Sequence, residues 1–204
     1  MITKNQLNEK SLEQEKQDIA KRLELDKIDE ALIFPKYLQV ETIRICNAHC
    51  PFCPVDEWDK SVPIMPDKLY HKIVEELGDY SDWIEFVCVQ RDGEPLLDKK
   101  IVNRVRLMKD VGIKKVTFST NASRLFKEKS RELLESGLDE IMFSIDSVDK
   151  ELYEKTRVGL NYEVVIDNIT NFFRMREEIN PDITVRVRGV SFHDMDNPNH
   201  RDDL

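Results

Sequence analysis

The stretch KVTFSTNASRLFKEKSRELLESGLDEIMFSID, residues 115–146, decides the fold. It opens on a β-branched run, passes into a segment whose apolar residues recur at helical spacing, and returns to an apolar run. Lys115–Thr120 is predicted as a strand, Ser123–Ser136 as a helix closed by Gly137, and Glu140–Asp146 as a second strand. A helical crossover of this kind joins strands that lie parallel.

The same alternation extends in both directions. Upstream, Tyr37–Ile45 and Ile84–Val89 read as strands. Pro66–Leu77, with a proline near its start, and Lys99–Asp110, ending near Gly112, read as helices. Downstream, Tyr162–Glu178 reads as a helix and Ile183–Val190 as a strand. Five strands with helical crossovers make a parallel α/β sheet the economical solution. With 204 residues, 40% of them hydrophobic, the chain can bury one substantial core. It falls below the roughly 250 residues typical of an eight-stranded α/β barrel.

The flanks differ in character. Residues 1–36 are charged and mostly polar and are expected to form an outer helical extension, leaving 37–190 as the barrel segment. Residues 191–204, SFHDMDNPNHRDDL, are polar and turn-rich and read as a loop or tail. His193, Asp194 and His200 within it read as solvated rather than as a metal site. The fifth strand would then be an exposed edge, so a further C-terminal domain or a partner chain is expected to complete the sheet.

The chemistry concentrates in Cys46, Cys50 and Cys53, a C-x3-C-x2-C triplet directly after the first predicted strand. Thiolates suit soft metals, and a set of three leaves one position for a non-protein ligand, whereas four would saturate a zinc or a [4Fe–4S] cluster. The spacing alone leaves open an iron–sulfur site, a zinc site borrowing Cys88 or His49, and separate structural thiols. Cys88, 35 residues beyond Cys53 and inside a strand-like run, reads as a buried apolar thiol. No apolar signal segment precedes the cysteines, so they are expected to be reduced and the chain cytoplasmic. No stretch approaches the length of apolar sequence needed to cross a membrane. A formal charge of −9, from 40 acidic and 31 basic residues, offers no general attraction to nucleic acid.

The run ICNAHCPFCP, Ile45–Pro54, resembles the cluster-binding signature of the radical S-adenosylmethionine (SAM) superfamily, with Phe52 at the aromatic position before the last cysteine. Asp92-Gly93-Glu94-Pro95 resembles that family's GGEP segment, with Asp92 where glycine is frequent. Ser119-Thr120-Asn121 and Ser144-Ile145-Asp146 resemble its polar strand ends, and Tyr153 to Arg157 with Gly159 its Y-x-x-x-R element. The likeness covers Tyr37 to Val190. The last two motifs are similar to the branch of molybdenum-cofactor and peptide-maturing enzymes that often carry a SPASM or twitch domain.

The resemblance implies a partial (β/α) barrel of the radical SAM type, with five of six strands visible. It implies a [4Fe–4S] cluster on Cys46, Cys50 and Cys53, with SAM on the fourth iron. Reductive cleavage of SAM would yield a 5′-deoxyadenosyl radical that abstracts hydrogen from a peptide or natural-product substrate, with flavodoxin or ferredoxin as electron donor. Glu94 is assigned to the SAM ammonium, and Ser119, Asn121 and Ser144 to its ribose or carboxylate. Arg157 is assigned to the carboxylate, Phe52 to packing near adenine, and Gly93 to close backbone approach or an unusual dihedral. Asp146 is read as a substrate contact or a helix cap. Arg186 and Arg188 share one side of the last strand and bind SAM or an anionic substrate if that side is the barrel interior. Two other readings stand beside this one, an electron-transfer or scaffold protein with an iron–sulfur cluster but no SAM cleavage, and a structural zinc module.

Overall fold

The computed structural model describes residues 14, 16–21 and 34–190. The chain divides into two compact units, residues 1–37 and 38–204. In the first, residues 16–21 are helical; the rest of the expected N-terminal helix, like the tail with His193, Asp194 and His200, lies outside the described residues.

The second unit follows the predicted alternation. Its elements, counting the strand that opens it, are β1 (Tyr37–Gln39), α1 (Asp67–Gly78), β2 (Phe86–Cys88), α2 (Ile101–Asp110) and β3 (Val116–Thr120). Then come α3 (Lys127–Leu134), β4 (Glu140–Ser144), α4 (Lys150–Thr156), α5 (Tyr162–Ile179) and β5 (Thr184–Arg188). The five strands form one parallel sheet in the order β1-β2-β3-β4-β5. A sequential order with crossovers of one hand sends the helices to one face and curls the sheet away from them, which is the geometry of a partial (β/α) barrel.

Strand parity sorts the side chains accordingly. Val87, Val89, Val116, Phe118, Ile141 and Phe143 are fully buried, and Phe143 meets Phe172 of α5 edge-to-face at 5.5 Å. The alternate residues, Ser119, Met142 and Arg186 in one register row and Ser144 beside Arg188 in the next, face the concave side. Arg186 and Arg188 therefore line the interior, in a cavity with Thr117 and Met142. At its floor Glu140 joins Lys115 at 2.7 Å and Arg186 at 3.1 Å, across three strands.

Three boundaries differ from the sequence reading. The first strand is cut short because residues 42–44 turn aside to pair antiparallel with the returning chain: Arg44 N donates to Pro63 O and Met65 N to Thr42 O. Helix α3 starts at Lys127 rather than Ser123, since Ala122 has φ 58° and Asn121 Oδ1 accepts from Ser123 N, spending the intervening residues on a turn. Helix α4, which the sequence reading left without an element, is started by Asp149, whose side chain accepts from Leu152 N. Gly112 and Gly137, at φ 89° and 85°, stop α2 and α3 as expected.

Candidate functional site

Five loops meet at the C-terminal ends of the strands, where side chains of a parallel barrel collect for chemistry. The loop after β1 carries Cys46, Cys50 and Cys53, all free and half-buried. It is tied down at several points. Glu94 N donates to Ile45 O at 2.9 Å, and His49 N to Val158 O at 2.8 Å beside the Gly159 turn. Asn47 donates to Ser123 Oγ at 2.9 Å and accepts from Asn121 at 3.2 Å. Asn47 was missed by sequence reasoning, although an amide between cysteines is a usable signal.

Two of the three sulfurs face N–H donors. Asn121 Nδ2 lies 3.8 Å from Cys46 Sγ, and Arg157 Nη1 lies 3.8 Å from Cys50 Sγ. Ala48 N also donates to Cys46 Sγ at 3.4 Å. Donors aimed at sulfur favour thiolates over thiols, the form in which sulfur binds metal. Without metal the Cys46 and Cys50 thiols keep their protons. Burial pushes Cys46 up to about 11, with Glu94 and the other two cysteines adding to the rise against the Ala48 hydrogen bond. Burial likewise raises Cys50, against the pull of the Arg157 charge. Metal uptake at this loop must therefore displace protons.

Glu94 and Arg157 organise the surroundings in ways the sequence did not disclose. The Glu94 carboxylate, 3% exposed, accepts from Thr120 Oγ1 at 2.6 Å, Asn121 N at 2.8 Å and Leu96 N at 3.0 Å. It thus ties the β2 loop to the end of β3. Burial raises its pKa, while these three hydrogen bonds and the Arg157 charge pull it down. Thr120, the partner that holds Glu94, had no role assigned from sequence. Gly93 is required for close approach: a Cβ there would stand 2.0 Å from Ile43 O. The neighbour that demands glycine is thus the backbone after β1.

Arg157 spends its fork on Asp146. Its Nε and Nη2 both donate to that carboxylate, the latter at 2.8 Å, and Asp146 also accepts from Val190 N at 2.9 Å. Asp146 thus clamps α4 and the end of β5 to β4 and caps no helix. The guanidinium lies 5.4 Å from the ring centroid of Phe52, so Phe52 covers Arg157.

Cys46, Gly93, Glu94, Ser119, Asn121, Ser144 and Arg157 line one small recess of about 70 Å³. A neighbouring cavity of about 300 Å³ shares Gln90, Ser119 and Ser144 with it and adds Cys88, Met142 and Arg188. Of the residues singled out from sequence, Cys46, Gly93, Glu94, Ser119, Asn121, Ser144, Arg157 and Arg188 line one of these two cavities, whereas Phe52, Cys50, Cys53, Asp146 and Arg186 line neither; Cys50 and Phe52 meet Arg157 at the edge of the recess. Residues proposed for zinc are engaged elsewhere: Cys88 donates to Gln90 O at 3.1 Å, and the His49 ring pairs with Asp56 at 2.8 Å. Among the described residues, no three His, Cys, Asp or Glu side chains converge on a single-ion site. Among the described residues no helix is long and apolar enough to cross a membrane.

Comparison with known proteins agrees with this arrangement. The model of the family described as Radical SAM superfamily matches residues 40–197. GTP 3′,8-cyclase of Limosilactobacillus fermentum is 31% identical over 137 residues, 65% of this chain and 40% of that protein. The tungsten-containing aldehyde ferredoxin oxidoreductase cofactor-modifying protein of Pyrococcus furiosus is 28% identical over 155 residues, 74% of this chain and 43% of that one. Streptococcus suis SuiB, solved bound to S-adenosylmethionine and also to precursor peptide SuiA, superposes with a TM-score of 0.64 at 21% and 20% identity. Each match covers 81% of this chain, and 37% and 36% of SuiB. The chain therefore spans less than half the length of these relatives. The family match, running from just after the first strand past the last and over all three cysteines, establishes that the chain belongs to the radical SAM superfamily.

Proposed function

We propose that this chain is the SAM-cleaving core of a radical SAM enzyme acting on a peptide or other small-molecule substrate, in the SPASM or twitch branch. The observation that carries the reading is the placement of Cys46 and Cys50 under the N–H groups of Asn121 and Arg157, beside the recess lined by Ser119, Asn121 and Ser144. Cys46, Cys50 and Cys53 would hold a [4Fe–4S] cluster, and the strand-end polar groups would hold SAM against it. When bound, cluster and SAM together supply one-electron reduction of a sulfonium and a radical able to abstract hydrogen.

The chain's own residues have definable tasks. The three cysteines would hold iron as thiolates, giving up their protons on binding. Asn121 and Arg157 place donors against the sulfurs, which stabilises added negative charge. Ser119 and Ser144 offer hydroxyls to the ribose or carboxylate of SAM. Glu94 keeps the Asn121 backbone in place and has acceptor capacity left at Oε2, which takes a single hydrogen bond, for an ammonium. Arg188, level with Ser144 on the concave face, offers a cation to a carboxylate or to an anionic substrate group. A reduced flavodoxin or ferredoxin is the natural class of electron donor.

Anaerobic reconstitution tests the reading. The wild-type chain should take up about four iron and four sulfide, and replacing Cys46, Cys50 or Cys53 by alanine should abolish a stable four-iron cluster. Ser144→Ala should weaken SAM binding to the loaded protein by about tenfold, the loss of one hydrogen bond. Stoichiometric zinc with no iron uptake would overturn it.

A further inference from the structure

Asn47 directly follows Cys46, and its amide closes a ring with two side chains at the end of β3, Asn121 and Ser123, which lie 74 and 76 positions further along the chain. Asn47 Nδ2 donates to Ser123 Oγ at 2.9 Å, Ser123 Oγ donates to Asn121 Oδ1 at 2.7 Å, and Asn121 Nδ2 donates to Asn47 Oδ1 at 3.2 Å. Each side chain in the ring gives one hydrogen bond and takes one. Asn121 Oδ1 also accepts from Ser123 N at 3.0 Å, and a backbone N–H can only donate. The oxygen of the Asn121 amide is therefore fixed on the turn, and its nitrogen is turned to the cysteine loop. That turn is itself held from α5, where Asn168 Nδ2 donates to Ala122 O at 2.9 Å.

An amide nitrogen carries two N–H groups, and the ring uses one of them. The nitrogen stands 3.8 Å from Cys46 Sγ, which gives the second N–H its partner. Asn121 is 4% exposed, so little water competes for that donor. We propose that Asn47 and Ser123 are positioning residues for the iron–sulfur cluster: they hold the Asn121 amide with its free N–H on Cys46 Sγ and thereby raise the cluster's reduction potential. The inference rests on the cluster reading above. Hydrogen bonds closed into a ring polarise one another, so opening it at either residue weakens the hold on the amide. Once the amide swings away, Cys46 Sγ keeps only the Ala48 N–H at 3.4 Å. A hydrogen bond to a ligating sulfur stabilises the reduced, more negative cluster over the oxidised one, so its loss lowers the potential.

Asn47→Ala and Ser123→Ala each open the ring and leave Asn121 in place. The measurement is an anaerobic redox titration of the reconstituted protein without SAM, followed by electron paramagnetic resonance. Both variants should show a lower potential at wild-type iron and sulfide content. The expected loss is about tenfold in the reduced-to-oxidised ratio at fixed potential, equivalent to about 59 mV for a one-electron couple. Ser123→Thr keeps the hydroxyl and should restore the wild-type value. Asn121→Ala removes the donor itself, and in that background Asn47→Ala and Ser123→Ala should shift the potential no further, because both act through the same amide. If Asn47→Ala fails to hold four irons, the Ser123 variants decide alone. A full cluster at unchanged potential in Ser123→Ala would overturn the proposal while leaving the cluster reading intact, and would assign the ring to fastening the loop. So would shifts that add to that of Asn121→Ala, since Asn47 and Ser123 would then act independently of the amide. Failure of the wild-type chain to assemble any four-iron cluster would instead sink the reading beneath it.

Discussion

At the scale of single residues, the site is held by contacts that sequence neighbours do not reveal. Gly93 lies against the Ile43 carbonyl with no room for a methyl group, so Gly93→Ala should destabilise the fold by about 3 kcal/mol in urea unfolding. Glu94→Gln replaces an acceptor by an amide whose N–H₂ must face either the Asn121 N–H or the donors at Oε1. It should cost about 1–3 kcal/mol in the same measurement and loosen the end of β3. The residue types at these positions were legible as a motif. Their roles were less so, because a motif does not state its partners. Arg157 read as a fork for a cofactor carboxylate, yet Asp146, eleven positions earlier, takes the fork. Phe52, read as an adenine neighbour, covers that same guanidinium. Both contacts depend on how the loop after β4 meets the cysteine loop, which is a tertiary fact.

At the scale of elements, strands and long helices were legible because their apolar residues repeat with a clear period. The errors lie where side-chain hydrogen bonding overrides propensity. Asn121 spends the residues before α3 on a turn, and Asp149 starts a seven-residue α4 whose only buried residue is Tyr153. Packing between α1 and α2 rests on a group that periodicity would place outside. Arg104 is buried beneath the Tyr70 ring, 4.7 Å from its centroid, and meets Asp98 at 3.0 Å, the two side chains 2% and 1% exposed. Removing one partner strands a buried charge, so Asp98→Ala should destabilise by about 3–5 kcal/mol. On the concave face, burial works to raise Glu140, but its bonds to Lys115 and Arg186 prevail and hold it below the usual carboxylate range. A lowered folded-state pKa gives stability that is present above the unfolded value near 4.5 and is lost as pH falls through the folded value. Glu140→Gln should therefore flatten the acid limb of the stability profile, as read by urea unfolding from pH 6 downward.

At the scale of the whole molecule, the sequential strand order explains why one face of the sheet is a core and the other a cavity. Helices shield one side, and the concave side gathers Ser119, Ser144, Arg186 and Arg188 in register. Strand β5 ends the sheet and leaves an unpaired edge among the described residues, as the sequence led us to expect. The chain's span of less than half of its relatives makes substrate choice a property to be sought with the full-length relatives in mind. The central claim is nonetheless local to this chain, since the cysteine loop and the strand ends all belong to it. The most direct test reduces the anaerobically reconstituted protein in the presence of SAM and looks for 5′-deoxyadenosine by chromatography. The account predicts that product from the wild-type chain and none once Cys46, Cys50 and Cys53 are replaced by alanine; a complete four-iron cluster that leaves SAM intact would contradict it.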